Sequence, residues 1–242
     1  MNEFDLSTTE LDVLWRTAGH GALPLIIDVP SPGATHAERA GIERRVWTDL
    51  AARGLADDER PHWRLEDRLE TIARRTRSLQ LRIFGADAMS AILATRGRRT
   101  VLGVLGDRFR LSSAPSTGLA ATLLGLLPET RVGQGHSVSV DTTAFAAATR
   151  NPAKAHDRLR RHGLSGDDAR ALLTMTTGSM RTIQIVAETR EPDGRTTRSL
   201  PVSVHDTSAG RYRAIRTITA TTDHLTVTPT TTAALAEVLA HD

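Results

Sequence analysis

Cysteine is absent from this 242-residue chain, aromatic residues make up 3% of it, and lysine occurs once, at Lys154. Without thiols there can be no disulfide and no thiolate metal site, and the composition suits a reducing compartment, so a cytoplasmic location is expected. No stretch approaches the ~20 consecutive apolar residues that a membrane-spanning helix needs, and membrane insertion is not expected. The opening MNEFDLSTTELDVLW has no basic start followed by an apolar block, so a secretory signal is not expected either. So few aromatics leave little for nucleobases to stack on. The familiar reactive motifs are missing as well: no G-x-x-x-x-G-K-[ST], no G-x-G-x-x-G, no H-E-x-x-H and no G-x-S-x-G. Nothing among these motifs argues for an enzyme.

What is present in quantity is arginine. The net charge is only +3, although the sequence pI is 10.3, because the bases are almost all arginine and do not titrate near neutrality. Local potential follows charge density, so the mild net charge is the better guide to partners. Clusters at Arg74, Arg75 and Arg77, at Arg96, Arg98 and Arg99, and at Arg158, Arg160 and Arg161 admit an alternative: an Arg-rich module for nucleic acid or an acidic protein. Acids are interspersed almost one for one, which favours solvated helix ends and loops, and nucleic acid is not the expected partner.

Helix and strand signals alternate along the chain. Ser7 with Glu10, and Thr35 with Glu38, form S/T-x-x-E capping boxes, and Leu6 and Leu11 flank the first as a hydrophobic staple. Helical spacing follows in Leu11, Leu14 and Trp15; in Ile42, Val46, Trp47 and Leu50; and in Trp63, Leu65, Leu69 and Ile72. LPLIIDV (23–29) reads as a buried strand broken by PSPG. SLQLRIF, DAMSAILATR, TVLGVLG and RFRLSS read as strands with turns near Gly97 and Gly106–Asp107, and 116–129 reads as a helix stopped by Pro128. In the second half HSVSVD is a strand, Asn151 and Pro152 open a helix ending at Gly163, and Ser165 with Asp168 caps the next, with Leu172, Leu173 and Met175 inward. SMRTIQIVAETR and TTRSLPVSVHD flank the hairpin signal EPDG. GRYRAIRTIT and HLTVT continue the meander, and a helix closes the chain after Pro229.

Each half thus reads strand, helices, antiparallel strands, helix. The phrases AARGLADDER (51–60) and RRHGLSGDDA (160–169) fall at matching helix ends. The expected fold is mixed α/β (α+β): a central antiparallel sheet with helical bundles and an internal pseudo-twofold repeat. Residues 1–242 would form a single domain of two similar halves, 1–130 and 131–242.

Chemistry is sparse. GQGH (133–136) is better explained by a turn than by a phosphate loop. His36 and Glu38, two apart on a helix, face different ways and cannot share a metal. Asp57–Asp58 and Asp167–Asp168 sit where acids complement a helix dipole. Ser112–Ser113 and Ser203–His205 are surface strand positions before they are nucleophile and base. On the strand over 181–190, Ile183, Ile185 and Ala187 face one way and Thr182, Gln184, Val186 and Glu188 the other. Leu200, Val202 and Val204 oppose Ser203 and His205 in the same manner. If helices cover one side, the second face is free to be wet or to dock a partner.

The N-terminal run resembles the EspG family of actinobacterial secretion chaperones. The family pattern falls on Leu6, Ser7, Glu10, Asp12, Leu14 and Trp15; on Pro24 and Gly33; on Thr35, Glu38, Arg39 and Trp47; and on Arg53, Gly54 and Leu55. GRYRAIRT (210–217) and the spacing of the helix after Pro229 fit as well. Where members often carry a tryptophan in the last strand, this chain has His224 and Leu225. The resemblance implies a cytoplasmic chaperone of type VII (ESX) secretion, not an enzyme and with no nucleotide, metal or other cofactor, that covers the aggregation-prone tip of the PPE protein in a PE–PPE heterodimer. In actinobacteria poor in such pairs, the client would be PPE-like or a small Trp-x-Gly-type helical substrate. It implies a contact surface on the sheet and C-terminal helical region, which nominates Gln184, Ser203, His205, Arg211, Tyr212 and Arg213, with Met175 and Met180 at the bundle edge. A monomer or weak homodimer is expected. The nucleic-acid alternative requires binding that collapses with salt, whereas a chaperone interface tolerates it.

Overall fold

The computed structural model describes residues 3–85 and 87–240. They form two compact units: one from the chain up to Leu81 with Met89–Leu123 and Glu188–Thr197, the other from Arg82–Ala88, Leu124–Ala187 and the chain from Arg198 onward.

The first unit starts on a strand, β1 (Glu3–Leu6), that the sequence pattern does not signal. It continues through α1 (Thr8–Thr17), α2 (His36–Ala52), a small hairpin of β2 (Ala56–Asp57) and β3 (Arg60–Pro61), α3 (Trp63–Ala73), β4 (Arg77–Gly85), β5 (Met89–Arg96), β6 (Arg99–Leu105), β7 (Phe109–Ser113) and α4 (Leu119–Leu124). Both capping boxes form: Ser7 Oγ accepts the Glu10 N–H at 3.1 Å while the Glu10 carboxylate accepts the Ser7 N–H at 2.6 Å, and Thr35 with Glu38 repeats the exchange. β1 pairs antiparallel with β7, setting Phe4 opposite Leu111 and Leu6 opposite Phe109, and β7, β6 and β5 continue the antiparallel ladder. Phe4, Leu6, Leu11, Trp15, Trp47, Leu50, Leu65, Leu69, Ile92 and Phe109 share one core. Asp12 is buried within it, accepting Arg39 Nη1 at 2.5 Å, Arg16 Nε at 3.1 Å and Ser31 Oγ at 3.1 Å. A buried carboxylate needs such partners, and these tie the segment before α2 to α1.

The second unit runs β8 (Val138–Asp141), α5 (Thr142–Thr149), a 3-10 turn (Pro152–Lys154), α6 (Ala155–Arg161), α7 (Gly166–Thr176), β9 (Arg181–Arg190), β10 (Thr196–Arg198), β11 (Val202–Thr207), β12 (Gly210–Ile218), β13 (Asp223–Pro229) and α8 (Thr232–Ala240). β9, β11, β12, β13 and β8 pair in that order, all antiparallel. Residues from α5, α6 and α7 pack on Tyr212, Ala214, Val227, Val138 and Val140 in one core. Both units are therefore mixed α/β with antiparallel strands.

Several expectations are corrected. Residues 23–29 form no strand: the Ile27 N–H turns back to the Pro24 carbonyl at 2.8 Å, Leu25 is 77% exposed, and prolines at 24 and 30 withhold two ladder donors. Trp63 points out, 64% exposed, from the first turn of α3. The helix read over 116–129 is confined to α4. Asn151 makes no side-chain cap, and its proline opens only the 3-10 turn. α5 was missed because TTAFAAAT has helix-forming alanines but no amphipathic period; Asp141 caps it through the Ala144 N–H at 2.9 Å. Leu200 is exposed, ahead of β11. Asp57 and Asp58 serve no helix dipole: Asp58 and Glu59, at φ 46° and 61°, turn the β2–β3 hairpin. The last two residues read into the closing helix lie outside the described residues.

The two Gly-Leu phrases end their helices identically. Gly54 (φ 67°) and Gly163 (φ 94°) are left-handed. Their N–H groups bond the Ala51 and Arg160 carbonyls, while those of Leu55 and Leu164 reach back to Leu50 and Leu159 at 2.8 and 3.2 Å. This paired closure is the Schellman motif. The chain leads from it into a hairpin in one case and into α7 in the other. Nothing lies within 4 Å of where a Cβ would sit on either glycine. Gly54→Ala and Gly163→Ala should therefore each cost only the backbone strain, roughly 1–2 kcal/mol, read from the urea midpoint.

Candidate partner-binding surface

The register of the second unit decides which nominated residues can meet a partner. Directly opposed residues of an antiparallel pair lie on the same face. Gln184 opposes Ser203, which opposes Ala214; Thr182 opposes His205, which opposes Tyr212. Tyr212 and Ala214 belong to the core under α5–α7. Gln184, Ser203 and His205 thus stand on the helix-bearing face, at its uncovered margin, and not on a bare second face. Arg213 opposes Val204 on the other side, whose Ile183, Ile185, Val202 and Val204 are all buried.

Three nominated residues are interior, which corrects their reading as contacts. Arg211 is wholly enclosed, its Nε and Nη2 gripping both oxygens of the equally enclosed Asp206 at 2.7 and 2.9 Å. Nη2 also donates to the Pro128 carbonyl at 2.9 Å, and Nη1 to Thr232 Oγ1 at 3.0 Å. The Arg211 backbone accepts from Gly133 and Thr230 and donates to the Arg131 carbonyl. One residue therefore links β11, β12, the segment over 128–133 and the start of α8. Tyr212 is buried beside it, donating its hydroxyl to the Gln134 carbonyl at 3.1 Å. Gly133 lies flat on its ring, where a Cβ would come within 2.2 Å, so GQGH is a packing turn and not a phosphate loop. Met175 is buried in the same core.

Apart from Arg213, on the other side of the sheet, the exposed nominees lie on β9, on β11 and just before β9. Met180 is 51% exposed, Gln184 is exposed, and Ser203, His205 and Arg213 are half-buried. Phe84, which the sequence reading did not select, is 44% exposed beside them, because Gly85 (φ 95°) brings the end of β4 against the Met180 carbonyl. Its signal was the RIFG step, an aromatic out of phase with Leu81 and Ile83 just before a left-handed glycine. Arg181 bonds Asp87 at 2.6 Å on the same edge. Two exposed apolar residues, Phe84 and Met180, thus lie on chain segments that meet at Gly85, with polar neighbours.

Catalytic geometry is not assembled here. Ser179 Oγ lies 3.3 Å from His205 Nδ1, but no carboxylate bonds that imidazole among the described residues. Burial holds His205 below its usual range, against the opposing pull of Asp206. At His136 the order is wrong for a nucleophile: Asp168 takes the imidazole at 2.7 Å and the Ser165 hydroxyl at 2.8 Å, so the serine meets the acid and not the base. No group of three or more potential metal ligands exists among the described residues, and none of their helices is long and apolar enough to cross a membrane.

A model of the EspG family matches residues 7–241. The chain belongs to the EspG family. It is 28% identical over 175 residues to the ESX-1 secretion-associated protein EspG1 of Mycobacterium marinum (strain ATCC BAA-535 / M), covering 69% of this chain and 61% of that one. It is 25% identical over 212 residues to EspG1 of Mycolicibacterium smegmatis (strain ATCC 700084 / mc(2)155), covering 84% and 72%. The match thus spans about three-fifths of the first relative's length. Among solved structures it is similar to the Mycobacterium tuberculosis type VII secretion system chaperone EspG5 in complex with the PE25–PPE41 dimer. The TM-score is 0.75 over 97% of this chain and 93% of that one, at 14% identity. The EspG fold accounts for GRYRAIRT as a framework motif, since its Arg211 and Tyr212 are interior.

Two outcomes are expected. Arg211→Met leaves Asp206 buried and unpaired and should cost about 3–5 kcal/mol in urea unfolding. Arg211→Lys should not rescue it, because a point charge cannot replace the fork. For His205, burial favours the neutral ring, so the folded imidazole should titrate below 6.5 by NMR. Its contribution is intact above 6.5 and lost as pH falls through the folded value; His205→Gln should remove that acid sensitivity.

Proposed function

We propose that this EspG-family chain is a non-catalytic chaperone of type VII (ESX) secretion that binds the helical tip of a PPE-like protein, alone or paired with a PE partner, and keeps it soluble. The observation that carries this reading is the whole-length likeness in fold to EspG5, a protein solved with a PE–PPE dimer on it. The exposed margin formed by Phe84, Met180, Gln184, Ser203 and His205 supports it as a local surface, with Arg213 on the opposite side of β12. An exposed apolar pair ringed by polar groups is how a partner site differs from ordinary surface. Holding a helical tip requires shape and reversible burial, about 1,600 Å² for a standard interface, and no bond chemistry. The reading includes action in the cytoplasm as a monomer or weak homodimer, and a single domain whose halves, 1–130 and 131–242, are related by a pseudo-twofold. The shared helix closure at Gly54 and Gly163 supports that relation.

The nucleic-acid reading loses ground because four of its nine arginines are held in ion pairs. Arg74 and Arg96 both meet Glu70, Arg75 meets Glu188, and Arg99 meets Asp67.

Tagged protein pulled from host lysate in ~1 M salt, where the screening length is ~3 Å, should retain a helical PPE-like protein identified by mass spectrometry. Met180→Glu should reduce the recovered client at least tenfold, about 1.4 kcal/mol, without shifting the melting temperature. Recovery of nucleic acid alone, lost as salt rises, would sink the proposal.

A further inference from the structure

In the first unit, α3 and the β5–β6 hairpin border a cavity of about 360 Å³ whose walls include Trp63, Arg64, Asp67, Arg68, Arg98 and Arg99. Arg68 is the unusual member. The residue is 9% exposed and its guanidinium lies over the Phe4 ring, 4.8 Å from the centroid. Nε donates to Ser113 Oγ at 3.2 Å, but Nη1 is buried with no hydrogen-bond partner. Burial, reinforced by nearby Arg64, lowers its pKa against the pull of Asp67. A buried cationic nitrogen without an acceptor is destabilising unless something supplies one.

The other charges narrow what that something is. Arg99 is neutralised by Asp67 at 2.6 Å, and Arg64 lies over the Trp63 ring, 5.0 Å from its centroid. Arg98, exposed in the hairpin turn, makes no ion pair among the described residues. Arg64, Arg68 and Arg98 thus have no carboxylate partner among the described residues, and the wall sets four arginines against one aspartate, Asp67. This excess of positive charge suits an anionic ligand. Trp63, 64% exposed at the rim between Arg64 and His62, presents an apolar edge next to it. We propose that this cavity binds the carboxylate of an acidic peptide segment, Arg68 and Arg98 meeting the carboxylate and Trp63 supporting the apolar residue beside it. The site is separate from the β9 margin and does not rest on the chaperone reading.

Trp63 also supplies the measurement, since Trp15 and Trp47 are buried. The full chain is titrated with acetyl-Leu-Glu-Leu-amide, with its Gln counterpart, and with inorganic phosphate, following tryptophan emission and calorimetric heat. Saturable binding of the Glu peptide alone is expected. Arg98→Ala should weaken it at least tenfold without moving the melting temperature. Arg68→Met, which removes the unpaired charge but keeps the stem, should abolish it while matching or exceeding the parent's melting temperature. Equal binding of the Gln peptide, no saturable response, or unchanged affinity in Arg98→Ala overturns the proposal. Tighter binding of phosphate overturns it in favour of a phosphate site.

Discussion

The second unit depends on one guanidinium and one carboxylate taken wholly out of water. Arg211 and Asp206 are stable there because the fork meets both carboxylate oxygens and the remaining donors find Pro128, Thr130 and Thr232. A buried ion pair adds little net stability over a well-packed apolar pair, but its geometry is demanding. That demand fixes where the segment after α4 crosses β12 and where α8 begins. Tyr212 and Gly133 take their positions from the same placement, ring against bare backbone. The first unit has a smaller counterpart in Asp12, which gathers Arg16, Ser31 and Arg39.

This framework explains the division of labour in the GRYRAIRT strand. Its most conspicuous residues, a large aromatic and three arginines, look like contact residues in sequence. Arg213 and Arg216 retain solvent, while Arg211 and Tyr212 hold the sheet to the segment beside it. The apolar residues left exposed in this unit are plainer, among them Phe84 and Met180, on segments that meet at the close approach of Gly85 to the Met180 carbonyl.

Local devices were legible because they are written within a few residues. The capping boxes at Ser7 and Thr35, the left-handed glycines at 54 and 163, the EPDG turn and the alternation in β9 and β11 each involve near neighbours whose sterics and hydrogen bonds suffice. The family resemblance was legible for a related reason: its N-terminal motif is largely made of such devices. Residues 23–29 show the limit, since an apolar run flanked by prolines has strand composition but too few donors for a ladder.

By itself, then, the sequence determined most of the element types, the mixed α/β class with antiparallel strands, and membership of the EspG family. Tertiary structure alone decided which polar residues are interior. Arg211, Arg68 and Asp206 have the composition of surface, and only distant segments make burial tolerable for the pair and costly for Arg68. It alone decided the faces as well, because strand alternation separates two sides without saying which one α5–α7 will cover. Burial and facing are properties of what packs from elsewhere in the chain, and a single strand's pattern contains no record of its neighbours.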